Sequence, residues 1–135
     1  MKLLIVDDDH DFRRVAKLAL LADGYEIFEA SSGREVLDLA RREQPDLILL
    51  DVLMPGLDGY KVCRQLRANP ATNRTAVLVL TALGDPTAGH KAKQAGADDY
   101  VVKPVSVSEL RERIERLLRR HELLHGARRR AEEGK

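Results

Sequence analysis

Two periods of apolar and polar positions alternate along the chain. Leu47, Ile48, Leu49 and Leu50 form one continuous apolar run, and Ala76, Val77, Leu78, Val79 and Leu80 form another. Runs this short and uninterrupted suit strands covered on both faces, as in a parallel sheet. Strands are predicted over residues 2–7, 25–30, 46–51, 75–81 and 98–102. The stretches between them carry the helical period. Phe12, Val15, Ala16 and Ala19 share one face of a first helix, and Gly59, Val62, Cys63 and Leu66 form the stripe of a third. Ser32 and Glu35 have capping-box spacing ahead of Val36, Leu37 and Ala40, as do Ser106 and Glu109 ahead of the last helix. Asp85 and Pro86 read as the cap and first residue of a fourth helix that stops at Gly96.

The result is a (βα)5 alternation. Right-handed crossovers make it an α/β, doubly wound, flavodoxin-like sheet of five parallel strands, with order 2-1-3-4-5. Strand 2, which carries Glu26 and Glu29, is expected at an edge. The chain has 135 residues, the size of one domain. The domain is expected over residues 1–120, with a helical extension or linker tail over 121–135.

Charge changes the picture only at the tail. The net charge of +1 conceals −2 on residues 1–118 and +3 on residues 119–135. The globular part is therefore not expected to bind nucleic acid. No apolar run reaches a membrane span of about 20 residues, and the N-terminus reads as a strand rather than a signal peptide. Cys63 is the single cysteine, which excludes an intrachain disulfide and suits a cytoplasmic protein.

Candidate chemistry collects at the strand ends. Strand 1 ends in Asp7, Asp8 and Asp9, strand 3 in Asp51, strand 4 in Thr81, and strand 5 runs into Lys103 and Pro104. In this fold those ends share one rim, beside the switch point between strands 1 and 3. Taken singly, each has an ordinary role: Asp9 as a helix cap, Thr81 as strand punctuation, Lys103 as a solvated charge. Together they form a site. Several carboxylates in a small space repel one another. A hard divalent cation relieves the repulsion, and an oxygen-only ligand set suits Mg²⁺. Carboxylates serve as phosphoryl acceptors. The metal, Lys103 and Thr81 would each hold one phosphoryl oxygen. No Gly-rich loop follows strand 1, which argues against a nucleotide cradle.

These motifs resemble the receiver domain of two-component response regulators over roughly residues 2 to 120. The resemblance rests on the Leu4-to-Asp9 run, Asp51 to Gly59, Leu80-Thr81-Ala82, Gly96 to Tyr100, and Val102-Lys103-Pro104. It implies that Asp51 accepts a phosphoryl group from a sensor histidine kinase or a phosphotransfer protein. It implies that Asp8 and Asp51 ligate Mg²⁺, that Asp7 does so through water, and that the Leu53 backbone carbonyl completes the protein ligands. Thr81 and Lys103 would bind phosphoryl oxygens, and the Lys103–Pro104 bond would be cis. Thr81 and Tyr100 would form the switch: Thr81 moves toward the phosphoryl group, Tyr100 turns inward, and the face of helix 4, strand 5 and helix 5 changes. Gly84, Gly89 and an alanine stripe make helix 4 weakly held. Leu53 and Leu83 would flank the phosphoryl group and shield it from water.

Leu110, Ile114, Leu117, His121 and Leu124 continue a heptad-like seam beyond a minimal receiver. Gly126 weakens that helix, and Arg128, Arg129 and Arg130 are expected to close it. The extension would connect to an output domain. A homodimer would form through it or through the helix 4–strand 5–helix 5 face. His121 and His125 have the spacing of a metal pair but lack a third ligand. The rival readings are an aspartyl-phosphate phosphatase-like enzyme, a nucleotide module and a non-phosphorylated interaction domain. The phosphatase pattern needs a second acid where Leu53 stands.

Overall fold

The computed structural model describes the backbone of residues 1–133 and the side chains of residues 1–124. Its elements are β1 (Lys2–Val6), α1 (His10–Ala22), β2 (Glu26–Ala30), α2 (Gly33–Glu43), β3 (Leu47–Asp51), α3 (Gly59–Ala68), β4 (Ala76–Ala82), α4 (Ala88–Ala95), β5 (Asp99–Lys103) and α5 (Val107–Glu133). The five strands pair in parallel in the order β2-β1-β3-β4-β5. The α/β fold is therefore the one expected, with β2 at an edge.

Successive residues of a strand face opposite sides of the sheet, and both sides here are covered. Leu4, Val6, Ile48, Leu50, Val77 and Val79 pack under α2 and α3. Leu3, Ile5, Leu47, Leu49, Leu78 and Leu80 pack under α1 and α5. All five residues of β3 are buried, which is why that strand reads as a continuous apolar run. A buried leucine contributes about 1.5–3 kcal/mol, so this sheet is a stiff platform. By contrast, α4 buries only Ala88, Ala92 and Ala95, and Thr87 ahead of it makes no side-chain cap bond. One methyl group per contact makes it the most weakly held of the helices.

Three local expectations are corrected. Val15 is exposed. The contact line of α1 runs through Phe12, Ala16 and Leu20 at fourfold spacing, and Val15 lies to its outer side. α4 begins at Ala88 rather than Pro86. The Asp85 carboxylate takes the Thr87 N–H at 2.9 Å and the Thr87 hydroxyl at 2.6 Å, which builds a turn instead of a first helical turn. Gly96 closes α4 in the left-handed conformation at φ 89°, as expected. Neither Gly126 nor the arginines after it close α5, which continues to Glu133. A single interior glycine costs only about 1 kcal/mol. Cys63 is completely buried, and burial pushes its thiol up to about 11.

Along α5, Leu110, Ile114, Leu117 and Leu118 are buried, whereas Leu123 and Leu124 are exposed. A ring nitrogen of His121 meets the Arg74 backbone carbonyl, so the extension leaves the domain from a contact on its surface. The side chains of His125, Arg128, Arg129, Arg130 and Ala131 lie outside the described residues. No described helix is long and apolar enough to cross a membrane.

Candidate functional site

Parallel pairing brings the carboxyl ends of all the strands to one rim. Val6 pairs with Leu50, Asp51 with Leu80, Thr81 with Val102, and Ala82 with Lys103. Asp7, Asp51, Thr81 and Lys103 are thereby brought together from positions up to 96 residues apart. Asp7, Asp51 and Thr81 are buried, and Asp8 is exposed.

The contacts at this rim are specific. Asp7 Oδ1 accepts the Asp9 N–H at 2.9 Å, and Asp7 Oδ2 accepts from Lys103 Nζ at 2.6 Å. Lys103 Nζ also reaches Asp51 Oδ2 at 3.3 Å. Asp51 Oδ1 accepts the Leu53 N–H at 2.8 Å. One ammonium thus bridges two buried carboxylates, each also held by a backbone N–H. The same ammonium sits 4.6 Å from the centre of the Phe12 ring, a favourable cation–π distance.

The electrostatics are finely opposed. Burial pushes the Asp7 carboxyl up, and the negative charge of Asp51 adds to this. The Lys103 ammonium and the Asp9 N–H pull it down but do not prevail. Burial alone would lower Lys103, yet Asp7 and Asp51 outweigh it and hold the lysine above its ordinary value. Among the described residues, Asp7, Asp8 and Asp51 form the one carboxylate group able to hold a metal ion, with ligand atoms within 4.8 Å of one another. An all-oxygen set with an unfavourably buried charge fits a hard divalent cation such as Mg²⁺.

The remaining expected residues are placed as follows. Tyr100 is exposed, and its ring lies against Gly89 of α4, where an added Cβ would stand 3.1 Å from the hydroxyl. Leu53 and Leu83 are exposed at the rim. The Lys103–Pro104 bond is cis. Sequence reasoning missed Arg13. Its Nη1 donates to the Asp7 backbone carbonyl at 3.0 Å, and its Nε pairs with Glu29 of β2 at 3.2 Å. A lone arginine inside a helix carries no periodic signal, and Glu29 was read only as the mark of an edge strand.

A family model described as the response regulator receiver domain matches residues 3–115. A Porphyra purpurea protein bearing the name "Probable transcriptional regulator ycf27" is 46% identical over 119 residues, which cover 88% of this chain and 48% of that protein. The transcriptional regulatory protein AfsQ1 of Streptomyces coelicolor is 42% identical over 120 residues, covering 89% of this chain and 52% of that protein. The chain spans about half the length of the curated relatives it matches. Among solved structures, the receiver domain of Francisella response regulator 1452 superposes with a TM-score of 0.79 at 33% identity, over 88% of this chain and 97% of that one.

Proposed function

The chain belongs to the response regulator receiver domain family, and from that premise we propose that it accepts a phosphoryl group on Asp51 and signals by changing the face formed by α4, β5 and α5. The observation that carries the reading is the Lys103 ammonium bridging buried Asp7 and Asp51 at the strand rim. A structural ion pair gains nothing from a second, unfavourably buried carboxylate, whereas a phosphoryl-transfer site needs this surplus of ligands.

Asp7, Asp8 and Asp51, with the Leu53 carbonyl, would hold Mg²⁺, with Asp7 acting through water. The ion supplies charge neutralisation at the phosphoryl oxygens when bound. The donor is a phosphohistidine on a sensor kinase or phosphotransfer protein. An Asp51 carboxylate oxygen forms the new O–P bond. The P–N bond breaks, its electron pair stays on the imidazole nitrogen, and the donor histidine is regenerated. Lys103 turns from Asp7 and Asp51 toward a phosphoryl oxygen, and the Thr81 hydroxyl donates to another. Tyr100 then leaves Gly89 for the space Thr81 vacates. The thinly buried α4 is the element able to respond.

The test is intact mass after incubation with acetyl phosphate and Mg²⁺. One phosphoryl group is expected on the wild type and none on Asp51→Asn or in EDTA. An unmodified wild-type protein that is folded and binds Mg²⁺ would refute the reading.

Leu53 and Leu83, both exposed at the rim, offer no hydrogen bond to an attacking water. Slow self-dephosphorylation follows. The double replacement Leu53→Asn and Leu83→Glu is expected to speed phosphate release about tenfold or more, a general base being worth about 10²–10⁴-fold. An unchanged decay rate would sink the shielding role.

The relatives named as transcriptional regulators are longer than this chain, which matches only about half of their length. That difference supports an output domain reached through α5. Dimerisation, through the α4-β5-α5 face or through the extended α5, is a further part of the proposal, and the exposed Leu123 and Leu124 of α5 support the second route. The proposed setting is the cytoplasm.

A further inference from the structure

We propose that Arg13 is a positioning residue for the metal-binding rim, acting through the peptide between Asp7 and Asp8; the proposal rests on the receiver reading of the site. β1 passes to α1 through Asp7, Asp8 and Asp9 alone, and two of these three are candidate ligands. The loop has its own bonds: Asp9 N–H to Asp7 Oδ1 at 2.9 Å, and Phe12 N–H to Asp9 Oδ1 at 3.1 Å. Neither fixes the Asp7 carbonyl. Arg13 Nη1 does, at 3.0 Å. Because a peptide is planar, holding the Asp7 carbonyl also sets the direction of the Asp8 backbone, from which the exposed Asp8 carboxylate projects.

The arginine is itself held. Its Nε pairs with Glu29 Oε1 at 3.2 Å, and Lys17 Nζ holds the other oxygen, Glu29 Oε2, at 3.1 Å. Glu29 stands on β2 beside Ile5 of β1, so the brace runs from the sheet edge through a guanidinium to the ligand-bearing loop. Arg13 is only 24% exposed in its side chain, unlike a free surface arginine. A fork that bonds a carboxylate with one nitrogen and a carbonyl with another is a task lysine cannot copy.

Charge and geometry predict opposite signs. As a cation beside three carboxylates, Arg13 would weaken Mg²⁺ binding, and its removal would tighten it. As a brace, it strengthens Mg²⁺ binding, and its removal weakens it. Titrating Mg²⁺ alone into wild type, Arg13→Ala, Arg13→Lys and Glu29→Gln separates the two. Arg13→Ala is expected to raise the Mg²⁺ Kd about tenfold, the usual cost of losing a partner behind a metal ligand. Arg13→Lys keeps the charge but should stay near the alanine value. Glu29→Gln should fall between, and combining it with Arg13→Ala should add nothing further. In EDTA, amide exchange at Asp8 and Asp9 should quicken in Arg13→Ala while exchange in β3 stays unchanged.

Equal or tighter Mg²⁺ binding by Arg13→Ala, or full rescue by lysine, would overturn the brace and leave the receiver reading intact. A wild-type protein that binds no Mg²⁺ and takes no phosphoryl group from acetyl phosphate would overturn both. Should Arg13→Ala fold poorly, Glu29→Gln and the exchange rates decide on the same terms.

Discussion

Asp7→Asn is expected to make the metal-free protein more stable while sharply reducing the proposed Mg²⁺-dependent phosphorylation. Asp7 is fully buried. Even with Lys103 at 2.6 Å, burial and the charge of Asp51 hold its carboxyl above the ordinary value of 3.8. The fold therefore disfavours the ionised form. Between 3.8 and the raised value, the folded state binds more protons than the unfolded chain. Stability from this group is thus greatest below 3.8 and is lost as pH rises through the folded value. Asparagine has no charge to bury and removes that slope. A gain of about 1 kcal/mol, or roughly 4 °C in Tm, is the scale of relieving a functional-site strain. Lys103 does not confuse the comparison, because its raised value is lost only at pH above 10.5. Thermal unfolding in EDTA from about pH 4 to pH 8 reads the effect. Phosphorylation by acetyl phosphate should fall about 10- to 100-fold, the cost of losing a carboxylate that holds the metal through water. A lower Tm for Asp7→Asn at neutral pH would show the Lys103 bridge outweighing the burial of charge, and the surplus-carboxylate argument would fail with it.

The parts of the fold that were legible are those whose physics is local. Buried parallel strands must be apolar on both faces, so β3 and β4 announce themselves as runs, and each strand bound differs from expectation by a residue at most. The strand-end polar residues were legible for a topological reason: parallel order puts Asp7, Asp51, Thr81 and Lys103 on one rim whatever lies between. What failed depends on neighbours in space. Val15 fits the helical period as well as Leu20 does, and only the sheet beneath α1 decides which is covered. Asp85 and Pro86 form a plausible cap, but the Asp85 carboxylate is spent on Thr87, two residues on. The Arg13–Glu29 brace joins a helix to an edge strand, and the contact of His121 with the Arg74 carbonyl joins positions 47 residues apart. No spacing rule within one element encodes either.

Gly59→Ala tests how tightly the scaffold behind Asp51, the proposed phosphoacceptor, is specified. Gly59 opens α3 and is buried. A Cβ there would stand 2.7 Å from the Cα of Val52 and 2.7 Å from its Cγ1. The first of these is backbone, which cannot rotate away. Val52 follows Asp51 directly, and its N–H donates to the Leu80 carbonyl at 3.1 Å, holding the loop to β4. An added methyl must push α3 outward or displace Val52, the residue beside Asp51. A loss of roughly 3 kcal/mol in unfolding free energy is expected, at the upper end of overpacking costs, together with weaker Mg²⁺ binding. Adding Val52→Ala removes the Cγ1 conflict but leaves the Cα one, so it should restore only part of the loss. Gly89→Ala is the internal contrast. Its Cβ would meet the Tyr100 hydroxyl at 3.1 Å, the far end of a ring that can move. Alanine also gains up to about 1 kcal/mol of helix propensity, so that variant should be neutral or stabilised. Denaturant unfolding of the four proteins reads the comparison. Equal stability of Gly59→Ala and wild type would mean that α3 slides at no cost, and that Asp51 sits on a yielding support rather than a fixed one.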